Sequence, residues 1–135
     1  MVTGFLLDTD IVITALKGKL QIGELVYLGK QAATTALSVI TVFEIWEGIQ
    51  GSKKIAIEDG EQQFNQFIEE YVEQLIPVDL EIAKCAGKVR AGLRQKGEII
   101  TDTDILIAAT CIVNGLTLVT KNKRHFGRIK DLSIF

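Results

Sequence analysis

The chain has 135 residues, 47% of them hydrophobic, with one proline and with 15 Lys and Arg set against 17 Asp and Glu. That length suits one compact domain over residues 1–135 with a real buried core, and two domains would strain it. A formal charge of −2 gives no global attraction to a polyanion, so any nucleic-acid contact must come from local basic clusters.

Residues 1–10 lack a charged leader pattern and meet Asp8 early, and the longest apolar run, 105–113, is too short for a bilayer. The expectation is a soluble cytoplasmic protein with no membrane contact. The run Phe5-Leu6-Leu7 is continuous and apolar and stops at Asp8-Thr9-Asp10, the pattern of a buried central strand presenting acids at its carboxyl end. Helical periodicity follows over Ile11–Leu16 and again over Leu20–Leu28. Thr34–Val39 reads as a strand, and Val42–Ile49 as a helix with Thr41 as its N-cap.

Further along, Ile55–Leu75 spaces Phe64, Phe67, Ile68, Tyr71 and Leu75 at helical intervals, with acids around them. Leu75–Val78 makes a brief strand. Asp79 caps a helix running to about Gly97. Asp102–Asn114 is an apolar helix stopped by Gly115, Leu116–Thr120 a strand, and Leu132–Phe135 a candidate last strand. Alternating strands and helices predict a doubly wound α/β domain, whose ligands gather outside the carboxyl ends of the strands. Cys85 and Cys111 fall inside helical stretches and read as two buried thiols in a reducing compartment.

Acids stand beside apolar sequence at Asp8 and Asp10, at Glu44, and at Asp102 and Asp104. Carboxylates gathered without cations repel one another, and oxygen-only ligation suits Mg²⁺ or Mn²⁺. One histidine and two scattered cysteines cannot build a usual zinc site. Each acid also has an ordinary reading. Thr41-Val42-Phe43-Glu44 is a capping box, Asp102 or Asp104 can cap a helix, and Asp8 and Asp10 can serve a turn.

Taken together, four segments resemble the successive motifs of PIN-domain ribonucleases, the VapC-type toxins of toxin-antitoxin systems. They are Leu6-Leu7-Asp8-Thr9-Asp10, Thr41-Val42-Phe43-Glu44-Ile45-Trp46-Glu47-Gly48, Asp102-Thr103-Asp104-Ile105-Leu106-Ile107-Ala108-Ala109, and Leu118-Val119-Thr120-Lys121-Asn122-Lys123-Arg124-His125-Phe126. The resemblance implies a PIN-like three-layer α/β/α fold with a mainly parallel sheet, and Mg²⁺-dependent (or Mn²⁺-dependent) endonucleolytic cleavage of RNA. It implies that Asp8, Glu44 and Asp104 hold the metal, that Asp102 is an auxiliary acid, that Thr9 orients Asp8, and that Asn122 is a further polar contributor. Two helical residues two apart lie roughly 200 degrees round the axis, which favours Asp104 over Asp102 as the inward acid and leaves Asp102 as a cap.

The implied partners are an RNA substrate, a second copy of the chain and a cognate antitoxin. Candidate protein contacts are Tyr27, Trp46 and the Leu20–Leu28 helix, in a chain whose mean hydropathy is +0.27. Lys121, Lys123 and Arg124, with Arg128 and Lys130 behind them, are the expected RNA contacts, with His125 and Phe126 as stacking or packing partners. A second basic group, Lys84, Lys88, Arg90, Arg94 and Lys96, reads as the solvated half of a helix. Two rivals stand beside this reading. Asp8-Thr9-Asp10 also resembles the opening of haloacid-dehalogenase-type phosphatases, and the fold could persist as a PIN-like binding module without turnover.

Overall fold

The computed structural model describes residues 4–20, 24, 27, 30 and 34–135. Its strands are β1 (Phe5–Leu7), β2 (Thr35–Ser38), β3 (Gln74–Ile76) and β4 (Thr117–Val119). Its helices are α1 (Thr9–Leu16), α2 (Val39–Gln50), α3 (Ile57–Tyr71), α4 (Leu80–Gln95), α5 (Asp102–Asn114) and α6 (Lys123–Phe126). The sheet is entirely parallel in the order β3-β2-β1-β4, which makes β1 an interior strand and explains its three fully buried residues.

Alternation along the strands divides the core between the two faces of the sheet. Leu6, Ala36 and Leu118 point to one face and pack with α4 and α5 through Ile82, Ala86, Leu93, Ile105 and Ala108. Phe5, Leu7, Leu37 and Val119 point to the other, where Ile11, Val12, Ile45, Phe64 and Phe67 of α1, α2 and α3 cover them. The result is the three-layer arrangement that the alternating pattern requires. Phe126 is a core anchor, buried with the first group. No helix among the described residues is long and apolar enough to cross a membrane.

Several boundaries differ from the sequence expectation for identifiable reasons. Ser38 ends β2, and its hydroxyl accepts from the Ile40 amide at 3.0 Å, so α2 starts at Val39 and Thr41 is an interior, buried residue rather than its cap. Thr101, not Asp102 or Asp104, caps α5, its hydroxyl accepting from the Asp104 amide at 3.4 Å. The Ile55–Leu75 helix stops at Tyr71, because the chain must extend to pair β3 with β2 from Gln74. Asp79 does cap α4, accepting from Ile82 at 2.9 Å, and Gly115 ends α5 at a φ of 63°, where a side chain would be strained. Residues 132–135 contribute one parallel bridge, Leu118 to Ile134, rather than a strand. The Leu20–Leu28 helix falls mostly outside the described residues, although Tyr27 is exposed.

Candidate active site

Parallel register delivers the site. Leu7 pairs with Val119 and Leu6 with Ala36, so β1, β2 and β4 finish together and the next residues on two of them, Asp8 and Thr120, become neighbours. Asp8 is buried. One of its carboxylate oxygens accepts from the Thr9 amide at 2.8 Å, and the other from the Thr120 hydroxyl at 2.7 Å. Helices α1 and α2 both start at this edge, which brings Thr9 against Thr41 with hydroxyls 3.1 Å apart and lets Thr9 donate to Glu44 Oε1 at 2.7 Å. Thr9 thus touches two of the three expected acids, its backbone on Asp8 and its side chain on Glu44.

Asp104 lies in the first turn of α5 and receives His125 Nε2 at 2.9 Å on Oδ2. His125 is fixed in turn by Arg128, whose guanidinium lies 2.8 Å from Nδ1 and donates to the His125 carbonyl at 3.1 Å. Asp10 turns one oxygen to the Lys121 amide at 3.2 Å, while its other oxygen is shielded from solvent without a hydrogen-bond partner.

The sequence expectation is refined at four positions. Thr9 orients Asp8 only through its backbone; its hydroxyl serves Glu44. The capping-box reading of Glu44 fails, since α2 begins too early for it and the carboxylate is engaged by Thr9. Asp102 is not the cap of α5: it is largely exposed and ion-paired to Arg90 of α4. Asn122 is exposed and gives its backbone amide to Thr120 Oγ1 at 3.0 Å, behind the residue that holds Asp8. Lys121, Lys123 and Arg124 are exposed on the segment following β4. Sequence reasoning passed over the Thr120–Asp8 bond and the His125–Asp104 contact, and it took Arg128 for an RNA contact rather than the brace of His125. Only the strand register could have revealed Thr120, as the residue beside Asp8.

The electrostatics are those of an acid cluster short of positive charge. Burial pushes the Asp8 carboxyl up from 3.8 to about 7; hydrogen bonds from Thr120 and Thr9 oppose the rise, and the charges of Asp10 and Asp104 add to it. The same field reaches Cys111, whose thiol is pushed up by burial first and by Asp8 second. Cys85 is also raised by its surroundings, and both thiols are free, so neither is poised as a nucleophile. Among the described residues no three His, Cys, Asp or Glu side chains are arranged to hold a metal ion. The donor types nevertheless fit a hard cation. They are all carboxylate oxygens, one of Asp10 buried without a partner and those of Asp8 on a carboxyl raised by burial and then by its acidic neighbours.

The chain matches the PIN-domain family over residues 5–132. It is 33% identical over 129 residues to Ribonuclease VapC1 of Methanocaldococcus jannaschii, with 96% of this chain and 83% of that protein covered. In the solved structure of VapBC2 from Rickettsia felis, bound to a DNA fragment from their promoter, a chain superposes with a TM-score of 0.89 at 31% identity, covering 98% of both chains. VapBC-5 from Mycobacterium tuberculosis, a member of the VapBC family of toxin-antitoxin systems, shares the fold at a TM-score of 0.74 and 19% identity, again over 98% of both.

Proposed function

The chain belongs to the PIN-domain family, among the VapC ribonucleases, and from that premise we propose that it is a metal-dependent endoribonuclease, the cytoplasmic toxin of a toxin-antitoxin pair. The observation that carries the reading is Asp8: a carboxyl buried at the end of an interior strand, raised to about 7, with two further acids acting on it. A fold keeps such an arrangement at a cost to its own stability, and a hard divalent cation is what offsets it.

Asp8, Glu44 and Asp104 would hold Mg²⁺ or Mn²⁺, and when bound such an ion supplies water activation and relief of the charge that builds on a phosphate during displacement. The chain's own residues do the positioning. Thr120 and the Thr9 amide fix both oxygens of Asp8, and the Thr9 hydroxyl aims Glu44. His125, braced by Arg128, holds Asp104. Lys121, Lys123 and Arg124, exposed on the segment whose Lys121 amide bonds Asp10, would supply the positive charge without which a polyanion would be repelled. Asp102 ties α5 to α4 through Arg90 and stands apart from the chemistry.

The partners proposed are RNA, a second copy of the chain and a small antitoxin. A hollow of about 650 Å³ on the outer side of α2, lined by Val39, Val42, Phe43 and Trp46 with Phe43 exposed, supports a protein partner. The test is cleavage of RNA by protein freed of any antitoxin, with Mg²⁺ or Mn²⁺. Activity should vanish in EDTA and in Asp8→Asn and Asp104→Asn proteins that keep their circular dichroism. Undiminished cutting by either variant, or in excess EDTA, overturns the mechanism.

A further inference from the structure

A cavity of about 670 Å³ opens between one face of α4, the end of α5 and residues 128–131. Five of the chain's 15 Lys and Arg line it: Lys84, Lys88 and Lys96 from α4, with Arg128 and Lys130 from the segment after α6. The acids of its lining are Glu81 and Asp131. This positive excess sits on a chain whose overall charge is −2. The two basic groups that look separate in the sequence therefore meet in space. Arg90, by contrast, leaves its group to pair with Asp102, and neither it nor Arg94 lines the cavity.

Three features point to the occupant. None of the four lysines forms an ion pair among the described residues, so their charge is available to a ligand. Arg128 belongs both to the cavity and to the acid site, because it braces the His125 that holds Asp104. The cavity therefore begins one side chain away from the acids. Its lining contains no aromatic residue, which removes base stacking and leaves contact with phosphates. A protein partner suits the cavity less well, since lysines are depleted at protein interfaces.

We propose that this cavity cradles the phosphate backbone of the RNA strand beyond the scissile position, entered from the acid site past Arg128. The inference rests on the ribonuclease reading and adds to it a sequence-independent subsite. Long RNA should bind with the help of Lys84, Lys88 and Lys96, whereas an oligonucleotide too short to reach the cavity should not.

The test compares wild type with the triple variant Lys84→Gln, Lys88→Gln and Lys96→Gln on a short and a long single-stranded RNA, with salt varied. All three side chains are exposed, and a triple Lys→Arg variant controls for charge. On the short RNA, kcat and KM should match wild type. On the long RNA, KM should rise and the salt slope should fall by about 2, roughly 0.7 for each of three lost phosphate contacts. The wild-type advantage on long RNA should accordingly shrink about twentyfold between about 50 and 200 mM salt, and the arginine variant should retain the wild-type slope. An unchanged slope on long RNA overturns the inference, as does equal loss on both substrates, which would place the lysines at the cleavage site. So does an unchanged slope accompanied by loss of dimer on size exclusion, which would make the cavity a contact between copies. Wild type that cuts no RNA at all removes the ribonuclease reading itself, a result distinct from these.

Discussion

Replacing Asp8 with Asn should stabilise the metal-free protein at alkaline pH, and the size of the effect follows from the burial of this carboxyl. In the unfolded chain Asp8 has its ordinary value of 3.8; in the fold it is raised to about 7. Below 3.8 both states carry the proton and no charge is buried. As pH climbs towards 7 the unfolded chain ionises first, so the native state loses stability over that interval and regains none above it. At about 1.4 kcal/mol per tenfold change in proton affinity, the deficit at pH 8 is up to about 4 kcal/mol. Asparagine keeps an oxygen for the Thr9 amide and offers an NH₂ that the Thr120 hydroxyl can accept, since that hydroxyl has Asp10 Oδ2 within 3.5 Å as an alternative acceptor. The assay is urea unfolding of both proteins in EDTA from pH 4 to 8.5. The advantage of Asp8→Asn should grow between pH 4 and 7 and then level off. Saturating Mn²⁺ should raise the wild type and leave the variant nearly unmoved, closing the gap. A variant less stable than wild type at pH 8, or a pH-independent difference, would refute the account of Asp8.

Thr120→Val removes the donor to Asp8 and should cost about 10- to 100-fold in metal affinity or cleavage rate, measured by Mn²⁺ titration and RNA cleavage, with Thr120→Ser recovering most of it. Asp102→Asn should leave cleavage near wild type and lower stability by less than about 1 kcal/mol in urea unfolding, because its carboxylate is mostly exposed and spent on Arg90. Loss of cleavage there would return Asp102 to the site. Gly4→Ala should lower unfolding stability by about 1–3 kcal/mol, since a Cβ there would lie 2.8 Å from Leu116 Cδ2 and 3.0 Å from the Thr34 carbonyl, at the start of the interior strand.

The elements legible in the sequence are those whose signal is local. Phe5–Leu7 announces a doubly covered strand because every residue is apolar, and Asp79 and Gly115 mark helix ends by side-chain chemistry alone. Asp104 was separable from Asp102 because two residues of helix turn roughly 200 degrees. The failures are choices between equivalent local signals that tertiary structure settles. Ser38 and Thr41 are both good caps, and the pairing of Ser38 with Ile76 at the end of β2 selects the first. Thr101 caps α5 ahead of two nearby aspartates, its hydroxyl taking the Asp104 amide. The Thr120–Asp8 bond joins residues 112 apart and exists only because Leu7 and Val119 are in register. The His125–Asp104 contact depends on α6, whose four residues are too few to display a helical period.

The placement of the acids also explains why the fold tolerates them. Thr9 and Val39 open α1 and α2 directly after strands that end together, and Asp104 sits in the first turn of α5, so three helix starts present amide groups and positive dipole ends near the same carboxylates. The Thr9 amide at the start of α1 holds Asp8, and the Lys121 amide after β4 holds Asp10. They do not cancel the cluster, because hydrogen bonds and partial charges of this kind contribute about 0.3–2 kcal/mol each, less than the desolvation borne by Asp8. The uncompensated part is therefore localised at the carboxyl end of β1, in the strand that holds the sheet together. A cation or a cationic partner group bound there acts on the stability of the whole domain as well as on its chemistry, so ligand occupancy and unfolding should be thermodynamically linked at this site.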